Sequence, residues 1–397
     1  MPASKNMPES LLTSLHGQPR LPPAVIPSFV AMDMMREANA LAAAGRSVIH
    51  LETGQPSTGA PQAVKDAAAR ALVNDTLGYT EALGIRPLRE RIARHYRERH
   101  GISIDPARVV ATTGSSAGLM LAFLALTAPG GRVGMARPSY PCYRNIALAL
   151  GMEPVEISCP AEDGFQPTAA TLNRLNGPLD LLLVASPANP TGVVLPKERL
   201  AEIAGWCGGS GVPLVADEIY HGLTYAGRAA TALDVSDDAI VLNGFSKYYS
   251  MTGWRLGWMI VPERMIRQVE CLAQNMYIAP PSLSQHAALA AFDATEELEV
   301  NVARYAANRA LLLEALPRLG LQVPASPDGA FYIYARLPDA WGDSVELAHR
   351  ILRETGVAVT PGIDFDRVDG HRYIRIGYAG ATEEIAEAIR RLEAWRP

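Results

Sequence analysis

Between residues 46 and 260, short apolar runs alternate with stretches whose apolar positions recur at helical spacing. The runs SVIHLE (47–52), RVVATT (108–113), RVGMA (132–136), PVEIS (154–158), LDLLLVAS (179–186), PLVADE (213–218), AIVLNG (239–244) and LGWMIV (256–261) are predicted strands. Several are continuously apolar instead of alternating, as strands buried on both faces of a mostly parallel sheet must be. After residue 290 the pattern changes to a long amphipathic helix (296–318), a strand AFYIYARL (330–337), a helix from Ser344 to Thr355, strands near VAVT (357–360) and RYIRIG (372–377), and a closing helix TEEIAEAIRRLEAW. The expected architecture is therefore α/β: a large unit, 46–290, with a seven-stranded sheet flanked by helices, and a smaller α+β unit, 291–397. Residues 1–45, with the amphipathic AMDMMREANALAAAG, are too few for a domain and are expected to pack against one as an arm. The sequence shows neither internal repeats nor a low-complexity linker.

Composition narrows the function classes. The 397 residues carry 36 basic and 41 acidic side chains, a net charge of −5, with no basic stretch to follow a phosphate backbone, so nucleic acid is not an expected partner. Cys142, Cys159, Cys207 and Cys271 are scattered, without the spacing of a zinc site or a disulfide framework, so no metal is expected. No apolar run approaches the ~18 residues of a membrane span. A cytoplasmic location with reduced thiols is the expectation.

Positive charge is written almost wholly as arginine: Lys5, Lys65, Lys197 and Lys247 are the four lysines, against 32 arginines. Arginine does not readily lose its proton, whereas a lysine amine can become neutral and attack a carbonyl. Lys5 lies in the N-terminal tail, and Lys65 and Lys197 fall on polar helix faces. Lys247 sits in NGFSKYYSMTGWRLGW among aromatics, glycines and small hydroxyls, with Arg255 as the one further charge.

Other segments offer matching chemistry. In TTGSSAGLMLAFLAL (112–126) a strand end runs through Gly114, Ser115 and Ser116 into an apolar helix, a turn that aims free N–H groups and hydroxyls at one point and suits an anion, although an ordinary N-cap reads the same way. SPANPTG (186–192) places Asn189 in a rigid turn at the end of the most apolar strand, where open α/β sheets bind ligands. Asp217 and Glu218 end another buried strand; a buried carboxylate there needs a metal, a cation or a protonated ring nitrogen. The parts ask for a ligand with an aldehyde or ketone, a phosphate and a ring that becomes protonated.

These are the requirements of pyridoxal phosphate. The chain resembles the fold-type I, class I/II pyridoxal-phosphate aminotransferases of the aspartate aminotransferase superfamily. The likeness runs from about residue 28 to the C-terminus, on GYTEALGIRPLRE, TTGSSAGL, RPSYPCY, SPANPTG, ADEIY, FSKYYSMTGWRLGW and YIRIGYA in the family's order. By that resemblance Lys247 forms the Schiff base and shuttles the substrate's α-proton. Asp217 partners the pyridine nitrogen, Asn189 and Tyr220 bond the phenolic oxygen, and Tyr140 stacks on the ring, a place where a core tyrosine would look alike. Gly114, Ser115, Ser116, Ser246 and Arg255 form the phosphate cup, and Tyr79 reaches the phosphate of a neighbouring subunit in a homodimer. Arg375 and Gly54, with Asn189, meet the substrate.

In a strand of period two, Arg375 faces away from Ile374 and Ile376, so a core side and a cleft side are compatible. Gln55 and Ser57-Thr58 depart from the family, which often has acidic residues and an aromatic there. The resemblance implies ping-pong transfer of an amino group from an L-α-amino acid to a 2-oxo acid. A β-eliminating C–S lyase on the same fold is the alternative. The retained Lys247, Asp217 and Arg375 argue against a non-catalytic binding domain. The substrate side chain is expected to be apolar or broadly chosen, with Tyr332, Tyr248 and Tyr249 either lining its pocket or packing in the core.

Overall fold

The computed structural model describes residues 26–395; Lys5 and the proline-broken stretch up to residue 25 fall outside them. In chain order the strands are β1 (Ile49–His50), β2 (Val109–Thr112), β3 (Arg132–Arg137), β4 (Glu153–Ser158), β5 (Leu181–Ala185), β6 (Leu214–Asp217), β7 (Ile240–Gly244), β8 (Gly257–Ile260), β9 (Tyr332–Arg336), β10 (Val357–Ala358), β11 (Thr360–Pro361) and β12 (Tyr373–Gly377). Seven form one sheet in the order β2-β8-β7-β6-β5-β3-β4. All neighbours are parallel except β8, which runs against both β2 and β7.

The continuous apolar runs have the expected cause. Along β5, Leu182 and Val184 enter one apolar cluster while Leu181 and Leu183 enter a second; along β6, Leu214 and Ala216 face the first and Val215 the second. Helices cover both faces, so both sets of alternating side chains are buried. The first cluster continues into the smaller sheet, β11-β12-β9, through Ile333, Ala335, Ile374 and Ile376. The two sheets are thus joined by shared apolar packing.

Two strand expectations need correction. SVIHLE contracts to two residues and pairs in parallel with β10, outside the large sheet. Beyond Leu51 its carbonyls serve other groups: the Glu52 carbonyl accepts from Arg375 and Thr360, and the Gly54 carbonyl accepts from Lys247. VAVT splits at Val359, because Val357–Ala358 pairs with β1 whereas Thr360–Pro361 pairs with β12, and Pro361 has no N–H to extend a ladder. The amphipathic arm forms the helix Val30–Ala43, whose first residue follows Phe29, a position with no capping side chain. Asp364, over 300 residues away, accepts the Val30 and Ala31 N–H groups at 3.1 and 3.0 Å. No helix among the described residues is long and apolar enough to cross a membrane.

Because β2, β3, β5, β6 and β7 run the same way, their carboxyl ends deliver Gly114, Tyr140, Asn189, Asp217 and Lys247 to one edge of the sheet. Gly257 on β8 sets the closeness there: a Cβ would lie 2.8 Å from the Gly114 carbonyl carbon and the Ser115 nitrogen, and 2.9 Å from the Asn243 oxygen. All three are backbone atoms and cannot swing aside. Gly257→Ala is expected to cost about 1–3 kcal/mol and to displace the start of the helix Ser115–Leu126. Urea unfolding with cofactor titration checks it; an unchanged midpoint together with unchanged cofactor affinity would show that the edge tolerates the methyl group.

Candidate active site

A cavity of about 290 Å³ opens at that edge, lined among others by Gly54, Ser115, Ser116, Tyr140, Asn189, Asp217, Tyr220, Ser246, Lys247, Arg255 and Arg375. Residues from seven separate segments of sequence therefore meet in one place. Gly114 stands just behind the wall, its Cα facing the Arg255 guanidinium so closely that a Cβ would lie 2.6 Å from Nη2. Tyr79 is 85% exposed and does not line the cavity of its own chain.

Lys247 leaves β7 on a tight loop closed by Ser250 N–H to the Lys247 carbonyl and Met251 N–H to the Phe245 carbonyl. Two non-glycine residues of that loop, Ser250 and Arg255, take left-handed backbone angles (φ 54° and 51°), which turn the chain back towards β8. The Lys247 side chain is half-buried in the cavity wall, and its amine donates to the Gly54 carbonyl at 2.6 Å. Burial pushes it down to about 8; the fields of Arg375 and Arg255 act in the same direction, and Asp217 opposes them. About a tenth of the amine is then neutral at pH 7, far more than of an ordinary lysine, and the neutral form is the one that attacks a carbonyl.

Asp217 ends β6 with both oxygens held: Tyr143 Oη donates to Oδ2 at 2.6 Å, and the Ile219 N–H donates to Oδ1 at 3.1 Å. Burial pushes its carboxyl up, whereas these two donors and Lys247 push it down. Glu218 does not line the cavity; it accepts from Thr231 Oγ1 and the Ala232 N–H at 2.9 and 2.7 Å, and burial pushes it up to about 8. The two adjacent carboxylates thus serve different surroundings, and among the described residues no group of three or more His, Cys, Asp or Glu could hold a metal.

At one end of the cavity the helix Ser115–Leu126 begins without a side-chain cap on Gly114, leaving first-turn N–H groups for a ligand beside Ser246 and Arg255. At the other end Arg375 on β12 is 2% exposed and has no carboxylate partner among the described residues. It donates to Asn189 Oδ1 at 3.0 Å, the Glu52 carbonyl at 2.5 Å and Thr360 Oγ1 at 3.2 Å, and its buried Nε has no acceptor. The rings of Tyr332 and Phe365 lie 4.4 and 4.8 Å from the guanidinium carbon. A buried cation with an open donor is costly until an anion completes it. An anion cradle, a half-buried nucleophilic amine, a held carboxylate and an incomplete guanidinium fit pyridoxal phosphate and an amino acid together.

Sequence reasoning missed Tyr143, Thr360, Phe365 and Glu52, and left Tyr332 between pocket and core. Tyr143 carried a usable signal, since it lies three residues after Tyr140 at a helix start and so shares its face. Thr360 carried none, because it meets Arg375 only through the β11–β12 register.

The family model described as "Aminotransferase class I and II" matches residues 46–392. The valine–pyruvate aminotransferase of Mycobacterium tuberculosis is 51% identical over 378 residues, 94% of this chain and 97% of that protein. The (5-formylfuran-3-yl)methyl phosphate transaminase of Methanocaldococcus jannaschii is 35% identical over 372 residues, 92% of this chain and 96% of that one. A crystal structure of an aminotransferase from Mycobacterium tuberculosis superposes with a TM-score of 0.92 at 50% identity, covering 95% of this chain and 99% of the other.

Capture of a carbonyl by Lys247 requires the unprotonated amine. With the folded value lowered to about 8, the capture rate in the apoprotein is expected to climb with pH and level off above about 8. Stopped-flow absorbance on adding pyridoxal phosphate measures it; a rate still climbing towards pH 10 would show that the amine is not held as described.

Proposed function

The chain belongs to the class I and II aminotransferases, and on that premise we propose that it draws its amino groups from L-α-amino acids with neutral, apolar side chains, with the residues above in the roles that follow. It is a pyridoxal-phosphate-dependent aminotransferase that moves an amino group from an amino acid to a 2-oxo acid in ping-pong fashion. Bound in the cavity, the cofactor supplies a carbonyl for the amino group and a protonated ring that takes up the electron pair left when Cα loses its proton. Lys247 Nζ, displaced by the substrate, is the base that accepts that proton and later returns it. Asp217, whose carboxyl burial pushes up on balance although Tyr143 and the Ile219 N–H favour its charge, gains in the protonated ring nitrogen the cation that keeps it ionised, and holds the proton there. Tyr220 and Asn189 serve the phenolic oxygen, Tyr140 covers the ring, and Gly114, Ser115, Ser116, Ser246 and Arg255 hold the phosphate. Arg375 takes the α-carboxylate, which gives its unpaired Nε an acceptor, while Gly54 lets the loop pass close to the substrate.

The side-chain preference rests on one observation: the cavity has three cations, Lys247, Arg255 and Arg375, and each is committed. Among the described residues no fourth cation lines it to receive a distal carboxylate. Glu52, buried on the same wall with one oxygen on His50 and the other without a partner, would repel one. The arm contributes Phe29, Ala31, Met32 and Met35 to the wall, all apolar. The similarity to a valine–pyruvate aminotransferase points the same way.

Two copies sharing each site is part of the same proposal. Tyr79 is exposed beside Leu72 (61%) and Val73 (83%) of the helix Gln62–Asn74, and Met276 and Ile278 are exposed nearby in sequence to the helix Ser282–Ala288 that packs on it. Covering these apolar residues with a second copy would bring Tyr79 to the partner's phosphate. We assign residues 46–290 to the large unit, the rest to the arm and small unit, and the protein, with four free thiols, to the cytoplasm.

Two outcomes are expected. Holoenzyme given one amino acid at a time, without oxo acid, releases one equivalent of 2-oxo acid per site at least ~10-fold faster from L-valine than from L-aspartate; faster release from L-aspartate would reverse the side-chain assignment. Co-expressed Tyr79→Ala and Lys247→Ala chains form mixed dimers with one site intact, whose activity exceeds that of either parent. A mixture no better than its parents would place Tyr79 outside the neighbouring site.

A further inference from the structure

Tyr332 opens β9, is 1% exposed and stands at the junction of three groups that the reaction needs. Its ring lies 4.4 Å from the Arg375 guanidinium carbon. Its hydroxyl shares a 3.0 Å hydrogen bond with the hydroxyl of Tyr220. The same hydroxyl abuts Gly54, where a Cβ would collide with it, and the Gly54 carbonyl is the acceptor of the Lys247 amine. We propose that Tyr332 is a positioning residue that ties carboxylate recognition to the phenolic-oxygen side of the site, its ring serving Arg375 and its hydroxyl serving Tyr220. The inference rests on the roles given above to Arg375 and Tyr220.

The physical argument separates the two halves of the side chain. A buried guanidinium needs compensating negative potential, and an aromatic face supplies it without occupying the N–H edge. A carboxylate side chain in that place would neutralise Arg375 and close it to substrate; the rings of Tyr332 and Phe365 support the cation and leave Nε without an acceptor. The hydroxyl has a different task. A phenol has one proton to donate, so Tyr220 can donate to a ligand only if its contact with Tyr332 is made as acceptor. Burial keeps both phenols protonated and the field of Arg375 lowers both, but it is the Tyr332 ring that lies against the guanidinium, at 4.4 Å, which favours Tyr332 as the donor of the pair. Tyr220 then keeps its own proton for the phenolic oxygen.

The test uses holoenzyme and three variants, with isovalerate, a carboxylate lacking the amino group, as the binding probe. Tyr332→Phe keeps the ring: isovalerate affinity by calorimetry is expected within about twofold of wild type, kcat with L-valine about tenfold lower at nearly unchanged KM, and the pH midpoint of the bound cofactor's absorption displaced upward. Tyr332→Leu removes ring and hydroxyl: isovalerate binding is expected to weaken about fivefold or more, and KM to rise as well. Wild-type kcat and absorption midpoint in Tyr332→Phe would remove the hydroxyl from the argument, and equal isovalerate affinity in both Tyr332 variants would remove the ring. Arg375→Lys distinguishes failure of the premise: if isovalerate binding survives there, the carboxylate assignment falls, whereas loss there with none in Tyr332→Leu retires Tyr332 alone.

Discussion

A buried guanidinium, a buried carboxylate and a half-buried lysine amine line one cavity, and among the described residues none of the three has an ion-pair partner. Desolvated charges of this kind are among the most expensive things a fold can hold. Much of the surrounding structure can be understood as the means of holding them with donors, acceptors and rings in place of counter-charges, so that the positions counter-charges would take stay open for a ligand. Lys247 has a backbone carbonyl, Asp217 has a phenol and an amide, and Arg375 has a carbonyl, an amide oxygen, a hydroxyl and two rings.

The large sheet makes this possible because its strands are apolar on both faces. With helices packed above and below, the central strands β5 and β6 are apolar up to Asp217 at the end of β6, and polar side chains collect where the ladder ends. There the parallel strands deliver their following residues from one side, and glycine at 114 and 257 lets a helix start and a strand pass at backbone contact. The smaller sheet brings the second half of the site. Its strand β12 places Arg375 across the cavity from Lys247, while the apolar cluster that runs from the large sheet through Ile374 and Ile376 fixes the other face of the same strand. One strand of period two therefore joins the units on one side and presents a guanidinium to the cavity on the other.

The loop Leu51–Thr58 shows why strand periodicity alone misplaces some elements. Its apolar start resembles a strand of the large sheet, yet two residues pair with β10 and the rest spends its carbonyls on Arg375, Thr360 and Lys247. The same segment departs from the family at Gln55 and Ser57-Thr58, and Gln55 lines the cavity beside Met35. This wall of the cavity is set by the loop and the arm helix, whose first turn is capped from over 300 residues away by Asp364.

By itself the sequence determined the α/β architecture and the positions of nearly every strand, and it singled out Lys247, because these are local: period, apolar content and the scarcity of lysine among arginines are written residue by residue. It also carried the cofactor, since seven motifs in order leave little room for another reading. Only the tertiary structure decided that Tyr143 holds Asp217, that Thr360 and the Glu52 carbonyl hold Arg375, and that Tyr332 touches both Arg375 and Tyr220. Those contacts join residues tens to hundreds of positions apart across strand registers, and neither a helical nor a strand period records what arrives from another strand.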